Sequence, residues 1–179
     1  VNRHVDRNTS AGWGVAIYDK GAVVAQIYGP VVVDPTSCLS LGAEVGSNNT
    51  GELSAIGEAL IWLRDEAPGP PTKPAVIFYD SKYAAKIATG DFHAKKNIPL
   101  AHCVQLLWKT VGRCRPVKLC HVKGHSGVAG NELADELANR GAARQVGSQR
   151  IIRTHEIPQV TKRGRGEATE SQAKKPKTA

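Results

Sequence analysis

Three carboxylate residues, Glu52, Asp80 and Asp135, occupy positions where an α/β fold would bring negative charge together. Glu52 stands in the first turn of a predicted helix, four residues before Ile56, on the apolar stripe that faces the interior. Asp80 follows the apolar run at 75–79 and is expected at the carboxyl end of a strand, where α/β proteins bind ligands. Clustered carboxylates repel one another unless a divalent cation neutralises them. The pattern therefore predicts a site for a hard cation.

Each of these carboxylates also has an ordinary structural role when it is considered alone. Glu52 would favour the positive end of a helix, and Asp80 would cap the helix that follows it. Asp135 would be a surface residue of the last predicted helix. The residue types alone therefore leave a purely structural interpretation open.

The amino-terminal part of the chain has the pattern of a β-hairpin. Residues 12–18 and 22–28 are apolar, β-branched and aromatic runs, and Asp19-Lys20-Gly21 between them has the chemistry of a tight turn. A third, weaker strand is expected within 37–45, after the breaker Asp34-Pro35.

The remainder of the patterned region alternates helices with strands, which predicts a mixed sheet flanked by helices. The continuous apolar run at 75–79 is expected to be a strand covered on both faces, and a further strand is expected over 117–122. The expected helices are one beginning at Asn49 or Thr50 and ending near Pro68, one capped by Ser81 and ending at Gly90, one over 101–111, and one over 131–142.

The net charge of +8 is concentrated in two zones. Residues 92–131 hold seven Lys or Arg and no Asp or Glu, which suits a face that follows nucleic-acid phosphates, although a solvated helix face explains the charge equally well. Residues 144–179 hold nine Lys or Arg against three Glu, which predicts a disordered basic tail with no structure at Ile151-Ile152. The tail suits a nuclear address or a non-specific grip on nucleic acid.

The composition fits one globular domain over residues 1–143 and a basic low-complexity tail over 144–179. No apolar run is long enough to cross a bilayer, and the amino end has no leader pattern, so an intracellular protein without membrane contact is expected, nuclear or cytoplasmic. The chain begins with Val1 and contains no Met, which suggests a fragment.

The four cysteines include no C-x-x-C pair, so reduced and mostly packed thiols are expected. A zinc site is conceivable at one cluster, but its spacing matches no established zinc pattern, and zinc is set aside. That cluster is Cys114, Cys120, His121 and His125.

Three ordered segments give the carboxylates a common context. They are Asn48–Leu53 (NNTGEL), Tyr79–Tyr83 (YDSKY) and Val122–Ala138, which begins with VKGHSG and ends with NELADELA. They resemble the T-N-N-x-x-E-L, D-S-x-Y and V-K-G-H-x-G…N-x-x-A-D-x-L-A segments of type 1 ribonucleases H, over roughly residues 10–143. Gly12-Trp13-Gly14 is similar to the family's second strand, and the NNTGEL form is similar to retroelement-type members.

The resemblance implies endonucleolytic hydrolysis of the RNA strand of RNA–DNA hybrids on an α/β fold of the ribonuclease H type. It implies that Glu52, Asp80 and Asp135 are catalytic metal ligands for two Mg²⁺ ions, with Mn²⁺ as an alternative. His125 would be a catalytic histidine on a mobile loop that assists proton transfer or product release.

The resemblance also implies a set of substrate-binding residues. Asn48 and Asn49 match positions that read the minor groove of the hybrid, where the 2′-hydroxyl marks RNA, although a polar turn and cap would need the same residues. The acid-free stretch matches the family's basic protrusion, with Trp108 expected in the core. The remaining candidates for substrate binding are Ser81, Lys95, Lys96 and Lys123.

The sequence departs from the family pattern at its amino end. The family's first strand is central in a five-stranded sheet and ends in an Asp-Gly-Ser-like turn that supplies a fourth carboxylate. The eleven residues before Gly12 contain no apolar strand and no Asp-Gly, and Asp6 is a weak substitute. The first central strand is therefore expected to be missing, and the 179 residues alone are expected to have little or no activity.

Two other functions are compatible with the residues. A truncated, non-catalytic module could bind a hybrid or duplex through the basic stretch and the tail. Another nuclease or transferase of the same fold, such as an integrase, is less consistent with the GHSG and NNTGE segments. The retroelement-like form also suggests other domains of a reverse transcriptase polyprotein as partners.

Overall fold

A computed structural model describes residues 9–143 and the backbone of 151–153. Residues 1–8, which include Asp6, and most of the predicted tail lie outside the described residues. None of the described helices is both long enough and apolar enough to cross a membrane. In chain order the elements are β1 (Gly12–Asp19), β2 (Ala22–Pro30), α1 (Asn48–Asp65), β3 (Ala75–Tyr79), α2 (Lys82–Thr89), α3 (Ile98–Cys114), β4 (Val117–His121), α4 (Ala129–Ala143) and β5 (Ile151–Arg153).

The described strands form two sheets. β1 and β2 pair antiparallel from Gly12 opposite Pro30 to Asp19 opposite Ala22, and the turn uses positive φ angles of 50° at Lys20 and 82° at Gly21. β3 and β4 pair in parallel as the second sheet. The α/β class and the hairpin are thus confirmed. Within the described residues, β1 and β3 each have only one hydrogen-bonded neighbour, so the strands do not join into one sheet.

Helices cover these sheets and enclose two apolar clusters. The larger cluster joins α1, α2 and α3 through Leu60, Ile87 and Val104, which are all fully buried. Trp108 packs against it, partly buried, which confirms its predicted place in the core. The smaller cluster holds the hairpin against α1 through Trp13, Ala25, Ile27 and Trp62.

α4 lies across the hairpin at a distance that only glycine permits. A Cβ atom on Gly14 would lie 2.5 Å from both the Ala134 carbonyl oxygen and the Ala138 amide nitrogen. A Cβ on Gly12 would lie 2.1 Å from the Ala138 carbonyl oxygen. The Gly-Trp-Gly run is therefore needed for close packing, and this packing fixes where α4 carries Asp135.

The third strand predicted within 37–45 is wrong, because this segment is a loop. Its backbone amides are satisfied by side chains: Asn97 Oδ1 accepts from the amides of Glu44 (2.8 Å) and Val45 (3.1 Å). Ser40 Oγ accepts from the amide of Gly42, whose φ of 95° does not fit a strand.

The prediction that the strand at 75–79 is covered on both faces is also wrong. Ile77 packs against the larger cluster, but Val76 is 49% exposed and Phe78 is 64% exposed. The physical reason is the placement of α4, which packs on β1 and β2 instead of crossing β3. A continuous apolar run therefore did not indicate burial on both faces.

Two smaller predictions need correction. All four cysteines are free, but they are not mostly packed, since Cys38, Cys114 and Cys120 are exposed and only Cys103 is partly buried. The prediction of no structure at Ile151-Ile152 is wrong, because both belong to β5, which pairs antiparallel with β2.

Candidate active site

The first turn of α1 presents Asn48 and Asn49 to solvent, and the next turn carries Glu52 toward the interior. The cap is Ser47, not Asn49 or Thr50 as predicted: the Ser47 hydroxyl accepts from the Thr50 amide, and Thr50 Oγ1 accepts from the Ser47 amide. The helix consequently begins at Asn48, and Glu52 lies in its second turn, half-buried.

Asp80 and Ser81 lie where β3 ends and α2 begins. The Ser81 hydroxyl accepts from the Ala84 amide at 3.3 Å, which confirms Ser81 as the cap of α2. The same hydroxyl lies close enough to the Glu52 carboxylate to lower its pKa. The predicted substrate-binding residue Ser81 therefore joins two elements of the protein, α1 and α2.

Asp135 lies in α4 and faces His125 on the preceding loop. His125 Nδ1 is 3.6 Å from Asp135 Oδ2, and the His125 side chain is 89% exposed. His125 has a positive φ of 51°, and Gly127 close to it has a φ of 78°. A loop held in left-handed conformations places this histidine in solvent beside a carboxylate.

The three predicted carboxylates influence one another electrostatically. Burial raises the pKa of Glu52, and the charges of Asp80 and Asp135 raise it further, while the Ser81 hydrogen bond lowers it. Burial and the Asp80 charge likewise raise the pKa of Asp135, and His125 opposes this effect. The structure therefore brings Glu52, Asp80, Asp135 and His125 into one site.

The residues of this site fit a divalent cation that keeps part of its water shell. Glu52 Oε2 is buried and accepts no hydrogen bond from the described residues. Within residues 9–143, however, no group of three or more His, Cys, Asp or Glu side chains is arranged as a ready-made metal cage. Mg²⁺ commonly takes one or two carboxylates and fills its other positions with water and substrate phosphate, so the arrangement suits this ion.

Sequence reasoning missed Asn131, which contacts this site from the first turns of α4. Its Nδ2 donates to Asp80 Oδ2 at 3.2 Å. The signal was available, because Asn131 precedes Asp135 by four residues and so shares its helix face. What the sequence could not provide was the partner, since Asp80 is 51 residues away along the chain.

The predicted basic residues occupy two separate loops. Lys95 and Lys96 are exposed on the segment between α2 and α3. Lys123 is exposed just after β4 and precedes Gly124, whose Cβ position would lie 3.0 Å from Asp80 Oδ2. Of these three lysines, Lys123 is therefore the one whose neighbour in the chain, Gly124, lies against a site carboxylate.

Replacing Glu52 with Gln should stabilise the protein at neutral pH when a chelator removes divalent cations. The folded-state pKa of Glu52 is raised, so its stabilising contribution is complete below the unfolded pKa of about 4.3 and is lost as pH rises through the folded pKa. Glu52→Gln has no titrating carboxylate at this position, so it does not lose this stability as pH rises. The gain at pH 7 should stay below about 1 kcal/mol, because the half-exposed carboxylate is screened by water.

Urea unfolding between pH 4 and pH 8 measures this effect. The difference in unfolding free energy between Glu52→Gln and the parent should grow as pH rises. A matched control is Glu44→Gln, an exposed change in the loop before α1, which should give a much smaller difference. A Glu52→Gln protein that loses stability relative to the parent at pH 8 would contradict the electrostatic description of the site.

Known proteins are similar to this chain over the region that contains the site. The family model described as RNase H matches residues 5–143. A ribonuclease H of Verminephrobacter eiseniae is 35% identical over 127 residues, covering 63% of this chain and 77% of the relative. A ribonuclease HI of Neisseria meningitidis serogroup A is 31% identical over 144 residues, covering 75% of this chain and 86% of the relative.

The fold has a counterpart among solved structures. A crystal structure of RNase H1 from the halophilic archaeon Halobacterium salinarum superposes with a TM-score of 0.51, covering 76% of this chain and 92% of that chain. The two chains are 21% identical, so this likeness bears on the fold alone.

Proposed function

Since the chain belongs to the ribonuclease H family, we propose that it is a metal-dependent endonuclease that hydrolyses the RNA strand of RNA–DNA hybrids. The observation that carries the proposal is the meeting of Glu52, Asp80 and Asp135, from α1, β3 and α4, at a distance where they raise pKa values. Three separated parts of the chain supply hard oxygen ligands to one place, which suits phosphate chemistry assisted by a cation.

Glu52, Asp80 and Asp135 would hold the cations, proposed as two Mg²⁺ ions with Mn²⁺ as an alternative. When bound, such ions lower the pKa of water and stabilise the charge on the leaving oxygen. The half-buried Glu52 carboxylate keeps one oxygen in a place where protein donors do not compete for it. Members of this family generally use divalent metal ions.

The remaining residues would bind the hybrid and move protons. His125 is exposed beside Asp135, so its imidazole can reach a substrate oxygen and exchange protons with solvent. Asn48 and Asn49 present amides at the exposed start of α1, where they can read a minor groove. Lys95, Lys96 and Lys123 are exposed and would contact phosphates, with Ser81 supporting the site from within.

We further propose that the active form contains a strand between β1 and β3 that is not among the described residues. In the described residues β1 pairs only with β2 and β3 only with β4, which leaves one edge of each strand without a hydrogen-bonded strand. A strand in this position would unite the two sheets and end beside Asp80, where it could add a carboxylate. A chain that lacks this strand should cleave poorly.

The proposal is tested with the chain completed by this strand, which is offered three duplexes of one sequence in Mg²⁺: an RNA–DNA hybrid, duplex RNA and duplex DNA. We expect internal cuts in the RNA strand of the hybrid alone, and none in the presence of a chelator. Equal cutting of duplex DNA, or cutting that survives chelation, would contradict the proposed function.

A non-catalytic binding module is the second candidate, and the exposed basic residues of the region 92–131 favour it. Binding to the hybrid that falls steeply with salt, without cleavage by any form of the chain, would favour this module over the enzyme. The similarity to retroelement-type sequences further suggests that other domains of a reverse transcriptase polyprotein are partners, and co-purification of a longer product would test that proposal.

A further inference from the structure

We propose that Asn131 is a positioning residue of this site: its amide holds one oxygen of Asp80 so that the carboxylate turns its other oxygen toward the cation. The inference rests on the proposed metal-dependent function and assigns a role to a residue that supplies no metal ligand itself. It is carried by one hydrogen bond to Asp80 Oδ2 and by the close approach of Gly124 to the same oxygen atom.

Asn131 and Gly124 both lie against Asp80 Oδ2. Asn131 Nδ2 donates to it at 3.2 Å. From the loop after β4, Gly124 approaches so closely that an added Cβ would lie 3.0 Å from Oδ2. Because Asn131 and the Gly124 loop both lie against Oδ2, we infer that Oδ1 is the oxygen of Asp80 that remains for a cation.

The same hydrogen bond sets the place of α4 relative to β3. α4 packs on β1 and β2, so apolar packing positions it against the hairpin and not against the end of β3. Asn131 and Asp135 lie four residues apart on one helix face. A hydrogen bond from Asn131 to Asp80 therefore fixes the separation of Asp80 and Asp135, two of the carboxylates that would hold a cation.

An amide suits this task because it donates a hydrogen bond without bringing positive charge. A Lys or Arg at this position would neutralise Asp80 and compete with the cation. A neutral donor orients the carboxylate and leaves its charge available. Donors that orient a metal ligand typically account for about 10- to 100-fold in metal affinity or activity.

The experiment compares Asn131→Leu with the parent chain of 179 residues. Leu is larger than Asn but keeps its branch at Cγ, and it has no donor. Asn139→Leu is the matched control, since Asn139 is an exposed Asn of the same helix. Mn²⁺ binding is measured by calorimetry, hybrid cleavage is measured against Mg²⁺ concentration, and thermal unfolding in chelator measures stability.

We expect Asn131→Leu to raise the Mn²⁺ dissociation constant by about tenfold and to shift the Mg²⁺ requirement of any cleavage equally. High Mg²⁺ should restore much of kcat, and KM for the hybrid should not change. Asn139→Leu should match the parent, and Asn131→Gln, which keeps the amide, should recover part of the affinity. If Asn131→Leu does not fold, the smaller Asn131→Ala, which also lacks a donor, replaces it with the same expected weakening.

The outcomes separate this inference from the proposed function. If the parent binds Mn²⁺ and Asn131→Leu binds it equally well, the inference is overturned and the function stands. If Asn131→Leu weakens Mn²⁺ binding but no form of the chain cleaves a hybrid, the inference stands and the function fails. A parent chain that neither binds Mn²⁺ nor cleaves overturns both.

Discussion

Replacing Asp80 with Asn will lower hybrid cleavage by about a thousandfold or more while hybrid binding persists. Asp80 lies at the end of β3, and its charge raises the pKa of both Glu52 and Asp135, so it is the electrostatic centre of the site. If Asp80 holds a cation as proposed, its loss removes several kcal/mol of transition-state stabilisation, and about 4 kcal/mol corresponds to a thousandfold in rate. Single-turnover cleavage in Mg²⁺ measures the loss, in the form of the chain with the highest activity.

The control for this variant is Asp91→Asn, which makes the same change at an exposed aspartate between α2 and α3. It should retain the parent rate and the parent affinity for the hybrid. An Asp80→Asn protein that cleaves at more than a tenth of the parent rate would remove Asp80 from the catalytic site. Equal losses of cleavage and of binding would instead indicate that Asp80 supports the fold.

Replacing Gly14 with Ala will destabilise the protein by about 3 kcal/mol and lower its melting temperature by about 10 °C. The added Cβ would lie 2.5 Å from the Ala134 carbonyl oxygen and the Ala138 amide nitrogen. Both atoms belong to the backbone of α4, so the conflict cannot be relieved by turning a side chain. The helix must move, and Asp135 next to Ala134 must move with it.

Gly112→Ala is the matched control, because Gly112 lies in α3 and an added Cβ there would meet nothing within 4 Å. Alanine has the higher helix propensity, so Gly112→Ala should leave stability unchanged or raise it by up to about 1 kcal/mol. Thermal unfolding of both variants gives the comparison. If Gly14→Ala unfolds at the parent temperature, the close packing of α4 on the hairpin is wrong.

The local elements could be predicted because their signals are local. The hairpin follows from two strand-like runs and Lys20-Gly21, which tolerates positive φ. Ser81 was predicted as the cap of α2 because it stands directly before a helical period. The start of α1 was misplaced because three polar residues, Ser47, Asn48 and Asn49, can all cap a helix, and only the tertiary fold selects Ser47.

The non-local features could not be predicted from single runs of residues. The apolar run of β3 predicted burial on both faces, yet Phe78 is exposed because α4 packs elsewhere. The loop at 37–45 has some strand-like residues, but the amides of Glu44 and Val45 donate to the side chain of Asn97, which is more than 50 residues away along the chain. The carboxylates were found because a family pattern linked them, whereas the donor to Asp80 depends on a contact between α4 and β3.

We propose that this chain carries a metal-dependent site for hybrid cleavage and that a further strand completes it. The direct test is RNA cleavage of a hybrid in Mg²⁺ by two proteins, the 179-residue chain and the same chain preceded by a strand that ends in Asp-Gly-Ser. We predict cleavage by the extended chain, chelator-sensitive and dependent on Glu52, with little or none by the shorter chain. Cleavage by neither chain, with tight hybrid binding by both, would contradict the claim and identify a binding module.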